Sequence, residues 1–169
     1  MSDSRILTTL CYIEREEKFL MMHRVSKKND ANAGKWIGVG GHFQEGESPD
    51  ECLLREVREE TGLQLTSYSL RGIITFVSDE WGYEYMFLYT ADGFEGSADE
   101  ESLASCTEGH LQWIPKEQIM DLNLWEGDRV FLKLLLEKTG FFTLKLVYRG
   151  EELIEKKLRC EGYDDRKII

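Results

Sequence analysis

The stretch Gly41-His42-Phe43-Gln44-Glu45-Gly46-Glu47-Ser48-Pro49-Asp50-Glu51-Cys52-Leu53-Leu54-Arg55-Glu56-Val57-Arg58-Glu59-Glu60-Thr61-Gly62-Leu63 decides how the rest of the chain is read. It contains a helix with both ends marked. Ser48 is placed to be the N-cap with Glu51 at the third helical position, Pro49 suits the first turn, and Gly62 suits the left-handed position just past the end. At about 100° per residue, Glu56, Glu59 and Glu60 fall within one narrow arc, and Leu53, Leu54 and Val57 form an adjoining stripe fit for burial against a sheet. The acidic arc is then expected to point outward. Like charges at helix spacing destabilise an isolated helix by roughly 0.2–0.5 kcal/mol per pair, so the arrangement calls for a compensating cation. A hard divalent ion such as Mg²⁺ takes oxygen ligands, shares its sphere with substrate phosphates, and lowers the pKa of a bound water. A generic solvated face rich in Glu and Arg is the alternative. The neighbouring residues weigh against it: glycines precede the helix, Glu47 stands at its start, and Arg55 and Arg58 are available to pair with carboxylates.

Upstream, Trp36-Ile37-Gly38-Val39-Gly40-Gly41 carries Gly at three of six positions, which weakens an ordinary strand and suggests close backbone approach. Ser26 to Lys35 reads as a loop, and Arg5 to Ile13 with Lys18 to Val25 as a hairpin around Glu14-Arg15-Glu16-Glu17. Downstream, Gln64 to Ser78, Tyr83 to Thr90 and His110 to Ile114 are strand-like, with an acidic loop from Asp92 to Glu108 between the last two. A second helix is expected over Trp125 to Lys138, burying Val130, Leu132, Leu134, Leu135 and Leu136. Phe141 to Arg149 and Glu152 to Arg159 make a closing hairpin around Arg149-Gly150-Glu151. There is no internal repeat or evident linker, and 169 residues suit one domain, 1–169, with its own core.

Composition narrows the function. The net charge of -11 argues against affinity for a nucleic-acid polymer, which needs clustered Lys and Arg, and implies that a polyanionic small-molecule substrate arrives with metal ions. No apolar stretch approaches the ~20 residues that span a bilayer. Cys11, Cys52, Cys106 and Cys160 show neither metal-ligand spacing nor a disulfide framework, and the N-terminus lacks the basic and then apolar run of a signal peptide, so a cytoplasmic setting is expected. Oligomeric state is left open.

From Gly41, through Glu47 and Arg55-Glu56-Val57 to Arg58-Glu59-Glu60-Thr61-Gly62-Leu63, the chain resembles the Nudix hydrolase family, whose signature it matches without a departure. The resemblance implies an α/β fold, an α/β/α sandwich around a mixed sheet, and attack by water on a diphosphate linkage with Mg²⁺ or Mn²⁺. It implies Glu56, Glu59 and Glu60 as metal ligands, the Gly40 carbonyl as a further one, and Glu47 and Arg55 as supports joining loop to helix. Glu108 resembles a distant acid that some members contribute as ligand or general base; an ordinary loop glutamate is the other reading.

Beyond that segment, Ala33 to Gly41, Gln44 to Glu47, Trp113, Leu124-Trp125 through Phe131 and the closing hairpin look like the oxidised-purine nucleoside triphosphatases, which hydrolyse substrates such as 8-oxo-dGTP to monophosphate and pyrophosphate. Thr8, His23, Ile37, Phe76, Trp125 and Asp128 fall where that group builds its purine pocket. Trp125 is either a stacking platform for the base or a core anchor, and Asp128 either a purine-edge partner or a helix-start carboxylate. Two departures stand out. Ile37 replaces an Asn that binds the base, and Gly127 replaces a second acid before Asp128. His42, in place of a Lys, is either near phosphate or an exposed loop residue. Another diphosphate-linked substrate, or a nucleotide sensor without turnover, are the alternatives; the intact Glu56, Glu59 and Glu60 weigh against the sensor.

Overall fold

The computed structural model describes residues 5–25 and 30–161. The Glu14 to Glu17 turn closes a hairpin of β1 (Arg5–Arg15) and β2 (Lys18–Arg24), helped by left-handed backbone at Glu16 and Glu17. The two strands pair only beside that turn, from Ile13 with Leu20 to Arg15 with Lys18. Past it they diverge, and the glycine-rich segment fills the fork in two pieces. β3 (Trp36–Ile37) pairs with β2, and β4 (Val39–His42) pairs with β1 through Thr8 to Cys11. The stretch expected to be a weak strand is thus two short strands that change partner at Gly38. Ser26 to Asn29 of the expected loop lie outside the described residues.

After α1 (Pro49–Thr61) come β5 (Gln64–Ser78) and β6 (Gly82–Glu95). The acidic stretch expected as a loop from Asp92 is shorter than that: β6 continues to Glu95 opposite Gln64, and Asp99 caps a one-turn α2 (Glu100–Leu103) by accepting from the Ser102 amide at 2.8 Å. β7 (Gly109–Pro115) leads through a 3-10 segment, Lys116–Asp121, to α3 (Glu126–Leu136), and β8 (Phe142–Arg149) and β9 (Glu152–Cys160) form the closing hairpin. The nine strands form one mixed sheet in the order β3-β2-β1-β6-β5-β8-β9, with β4 on β1 and β7 on β2. β1 with β6 and β5 with β8 are parallel; the other pairs are antiparallel.

Strand alternation sorts the core into two layers. Leu10, Tyr12, Met86, Leu88, Ile74, Leu144 and Leu146 face α3, while Cys11, Ile13, Tyr89 and Ala91 face α1. The fold is the expected α/β sandwich around a mixed sheet. The buried face of α3 differs in detail from expectation: Phe131, Leu132, Leu134 and Leu135 are buried, Val130 and Leu136 only half-buried. The helix starts one residue later than expected because Trp125 takes the N-cap position, and it stops before Lys138, which has left-handed backbone.

Candidate active site

The capping box around α1 is complete: the Glu51 amide donates to Ser48 Oγ and the Ser48 amide to the Glu51 carboxylate, each at 3.1 Å. Gly62 ends the helix at φ 76°, and Tyr89 Oη donates to Asp50 in its first turn, tying that turn to the sheet. Leu53 and Val57 are fully buried against β1 and β4, and Leu54 is half-buried. This seating turns the acidic arc differently from expectation. Only Glu59 points to solvent; Glu56 lies half-buried against Gly41, and Glu60 is 7% exposed with a carboxylate oxygen accepting from the Gly40 amide at 3.1 Å. The cause is the stripe itself, since burying Leu53 and Val57 brings Glu56 and Glu60 down onto β4.

Arg55 organises the surroundings. It donates to both Glu47 oxygens at 2.6 and 2.9 Å, to Glu56 at 2.8 Å, to Glu59 at 3.2 Å and to the His42 carbonyl at 2.9 Å. The two-pronged contact holds Glu47 well below the usual range, at about 2, and raises Arg55 further above its ordinary value. Arg55 thereby ties Glu47 and the loop that precedes α1 to the helix.

Glu60 has the opposite environment. Burial, a hydrogen bond shared with Glu108, the Glu108 charge and the Glu56 charge push its carboxyl up to about 10 against the single pull of the Gly40 amide. Burial also raises Glu56, opposed by Arg55. Glu108 itself receives Arg24 Nη1 at 3.0 Å, and Arg24 also binds Asp30 at 3.1 Å. Three acids that meet around buried Glu60, whose carboxyl is pushed far up, suit a hard divalent cation as their missing counter-charge. Their present geometry is not a finished metal shell. Among the described residues no three His, Cys, Asp or Glu side chains converge at ligating positions. The reason is visible in the pairing: Glu56 and Glu59 are turned to Arg55, and Glu108 to Arg24.

A cavity of about 450 Å³ runs from this cluster across the α3 side of the sheet. Gly40, Gly41, His42, Glu56, Arg24 and Glu108 line it, and so do Thr8, Ile37, Phe76, Trp125, Asp128 and Tyr148. Of the residues expected to form a purine pocket, five are there and His23 is not. Its ring is stacked on Trp36, its partner across the β2–β3 pair, at 4.6 Å and 10°, with Nε2 3.2 Å from the Gly34 carbonyl. Trp125 is half-buried, held edge-on to Tyr148 at 5.4 Å, donating from Nε1 to Asn32 at 3.0 Å, with Lys35 Nζ 4.9 Å from its ring centre. Asp128 is 5% exposed and raised to about 8 by burial and then by the charge of Glu84, opposed by Lys35.

The absent second acid at Gly127 has a physical reason. Trp125 offers no side-chain cap, so the Gly127 amide donates instead to Tyr148 Oη at 2.6 Å, and a Cβ there would meet that oxygen at 2.5 Å. Sequence reasoning missed Tyr148, Arg24, Asn32 and Glu84. In the run Tyr83-Glu84-Tyr85 the fold leaves Tyr83 47% and Tyr85 38% exposed while Glu84 lines the cavity. Continuing the alternation back from buried Met86 and Leu88 would have found Glu84.

Comparison with known proteins agrees with this arrangement. The model of the NUDIX domain matches residues 4–135, which span β1 to nearly the end of α3. An oxidized purine nucleoside triphosphate hydrolase of Mus musculus is 33% identical over 144 residues, covering 83% of this chain and 85% of its own length. The uncharacterized Nudix hydrolase YvcI of Bacillus subtilis (strain 168) is 30% identical over 158 residues, covering 89% and 92%. A crystal structure of a MutT protein from Bacillus halodurans superposes with a TM-score of 0.78 at 25% identity, over 90% of this chain and 97% of that one. The chain belongs to the NUDIX family and is a Nudix hydrolase.

Proposed function

We propose that the protein hydrolyses an oxidised purine nucleoside triphosphate, such as 8-oxo-dGTP, to the monophosphate and pyrophosphate, using Mg²⁺ or Mn²⁺, in the cytoplasm. The observation that carries the reading is the single cavity lined both by Trp125, Phe76 and Asp128 and by Gly40, Gly41 and Glu56. A nucleotide in it would set its base against the aromatic side chains and its phosphates at the glycines and acids. The mouse relative's named activity agrees with that class of substrate.

In this reading Trp125 and Phe76 bracket the base by stacking, and Asp128 bonds its edge. Gly40 and Gly41 let the phosphates come close to the backbone, and Arg55 holds Glu47, Glu56 and the His42 carbonyl in register with α1. Glu56, Glu60 and Glu108 would hold the divalent ion, with Glu59 and the Gly40 carbonyl as further donors. Such an ion, when bound, neutralises phosphate charge and activates a water for attack at phosphorus. For Glu60 to serve as a ligand its proton would pass to solvent, and Glu108 and Glu56 would exchange their pairing with Arg24 and Arg55 for the ion. Glu108 or Glu60 then accepts the proton of the attacking water. Steady-state kinetics over oxidised and ordinary nucleoside triphosphates, ADP-ribose and dinucleotide polyphosphates tests the proposal. A much higher kcat/KM for either of the last two would replace it.

A further inference from the structure

Glu84 lies outside every role given so far. It projects from β6 onto the α3 side of the sheet, its Oε2 accepts from Thr8 Oγ1 at 2.7 Å, and it lines the same cavity as Asp128. Its other oxygen has no hydrogen-bond partner among the described residues, and neither oxygen of Asp128 has one. The two acids line one cavity from different walls, Asp128 from α3 and Glu84 from the sheet, and the Glu84 charge is felt at Asp128. Among the described residues, the basic side chains that act on the pair are Lys35 on Asp128 and His42 on Glu84.

Two acids facing one cavity each present at least one acceptor oxygen to it, whether or not the carboxyl carries its proton. Each such acceptor is left unsatisfied on binding unless the ligand brings an N–H donor. We infer that Glu84 is a second base-reading residue, and that with Asp128 it selects a base carrying N–H donors on two edges. A 2-amino purine oxidised at C8 has this pattern: ring and exocyclic N–H groups on one edge, and an N7–H on the other where the ordinary purine has an acceptor. The inference rests on the function proposed above and sharpens its substrate class. It also accounts for Ile37, since a pocket with an acid on the sheet wall does not need an amide side chain at that position.

The experiment measures binding without turnover. Calorimetry in the absence of metal compares 8-oxo-dGMP, dGMP and dIMP, which lacks the 2-amino group, on the wild-type chain, E84Q and E84M. Two ratios are read, 8-oxo-dGMP over dGMP and dGMP over dIMP. Wild type is expected to favour the donor-richer ligand in both. E84M is expected to flatten at least one ratio by about tenfold or more, the size of a lost hydrogen bond to a charged acceptor, with E84Q between the two. Ratios that stay within threefold of wild type in E84M overturn the inference, as does a wild-type protein that shows no preference. Thermal melts of E84M separate a changed preference from a damaged fold, because loss of fold lowers affinity for all three ligands together. A chain that binds with the expected preferences and yet hydrolyses none of the triphosphates would refute the proposed function and leave Glu84 as a base reader.

Discussion

Adding one methyl group at either of two adjacent glycines should have opposite consequences. At Gly40 a Cβ would stand 2.7 Å from the Thr9 carbonyl carbon and 2.9 Å from Leu10 Cα, both backbone atoms of the strand to which β4 is paired. Those atoms cannot rotate away, so Gly40→Ala forces β4 off β1 and loosens the amide that Glu60 accepts. Overpacking of this kind costs about 3 kcal/mol, and for a chain of this length that lowers Tm by about 6–12 °C. At Gly41 the Cβ would instead meet the Glu56 carboxylate oxygens, at 2.5 and 2.6 Å. A carboxylate on a flexible stem retreats by the roughly 0.9 Å that separates 2.5 Å from ordinary contact, at little cost to the fold. Displacement by about 1 Å in a reacting constellation is worth about a hundredfold in rate. Differential scanning fluorimetry and pyrophosphate release, measured on the same preparations, separate the cases. Gly41→Ala should melt within about 2 °C of wild type and lose about a hundredfold in kcat; Gly40→Ala should lose stability first. A Gly40→Ala protein with wild-type Tm, or a Gly41→Ala protein with wild-type kcat, would show that this close packing of strand, loop and helix is not what places Glu56 and Glu60.

Other outcomes follow from the same geometry. Glu60→Gln mimics the protonated acid, so in EDTA it should melt at or above the wild-type temperature; the rise in Tm that Mn²⁺ gives wild type should be absent, and turnover lost. Asp128 has a folded pKa near 8 against an ordinary 3.8, so the folded state binds more protons than the unfolded one between those values. Stability attributable to it is fully present at low pH and falls by up to about 1.4 kcal/mol per pH unit across that window. Asp128→Asn should therefore gain on wild type in urea titrations as pH rises from 5 to 8; a constant difference would mean that Asp128 is ionised in the fold. Arg55→Lys keeps the charge and loses the fork that spans Glu47, Glu56 and the His42 carbonyl, so kcat should fall by about tenfold or more while KM changes less. Equal kcat in Arg55→Lys would reduce Arg55 to a plain counter-ion.

The parts of the molecule that were legible in the sequence are those whose cause is local. Ser48, Pro49, Glu51 and Gly62 set the ends of α1 through contacts within a few residues, and the Leu53 and Val57 stripe sets its buried face. What the periodicity could not give was the rotation of that helix on the sheet. It groups Glu56, Glu59 and Glu60 on one arc, yet the seating of the Leu53 and Val57 stripe on the sheet brings Glu56 and Glu60 against Gly41 and Gly40 and leaves Glu59 in solvent. The base end is harder, because its members come from β1, β3, β5, β6, α3 and β8 and meet only through long-range pairing. Thr8, Phe76, Trp125 and Asp128 were reached by resemblance, whereas Glu84 and Tyr148 belong to this chain's own solution. His23 left the set because stacking on Trp36 claims its ring.

The fork between β1 and β2 has a consequence for the order in which the chain becomes an enzyme. Its acidic end is built almost wholly from early sequence: β1, β2, the wedge of β3 and β4, and α1 are complete by Gly62. The free edge of β1, however, waits for β6, whose Tyr83 pairs with Arg5, and β5 waits for β8, whose Phe142 pairs with Gly72. Parallel pairings over such separations close slowly, after local hairpins and helices have formed. A nascent or truncated chain ending before Tyr83 would carry Glu56, Glu59, Glu60 and Arg55 but neither the β6 wall with Glu84 nor Trp125 and Asp128 at the start of α3. Any cation it captured would therefore sit without a complete base site beside it, and diphosphate cleavage would stay tied to completion of the later elements.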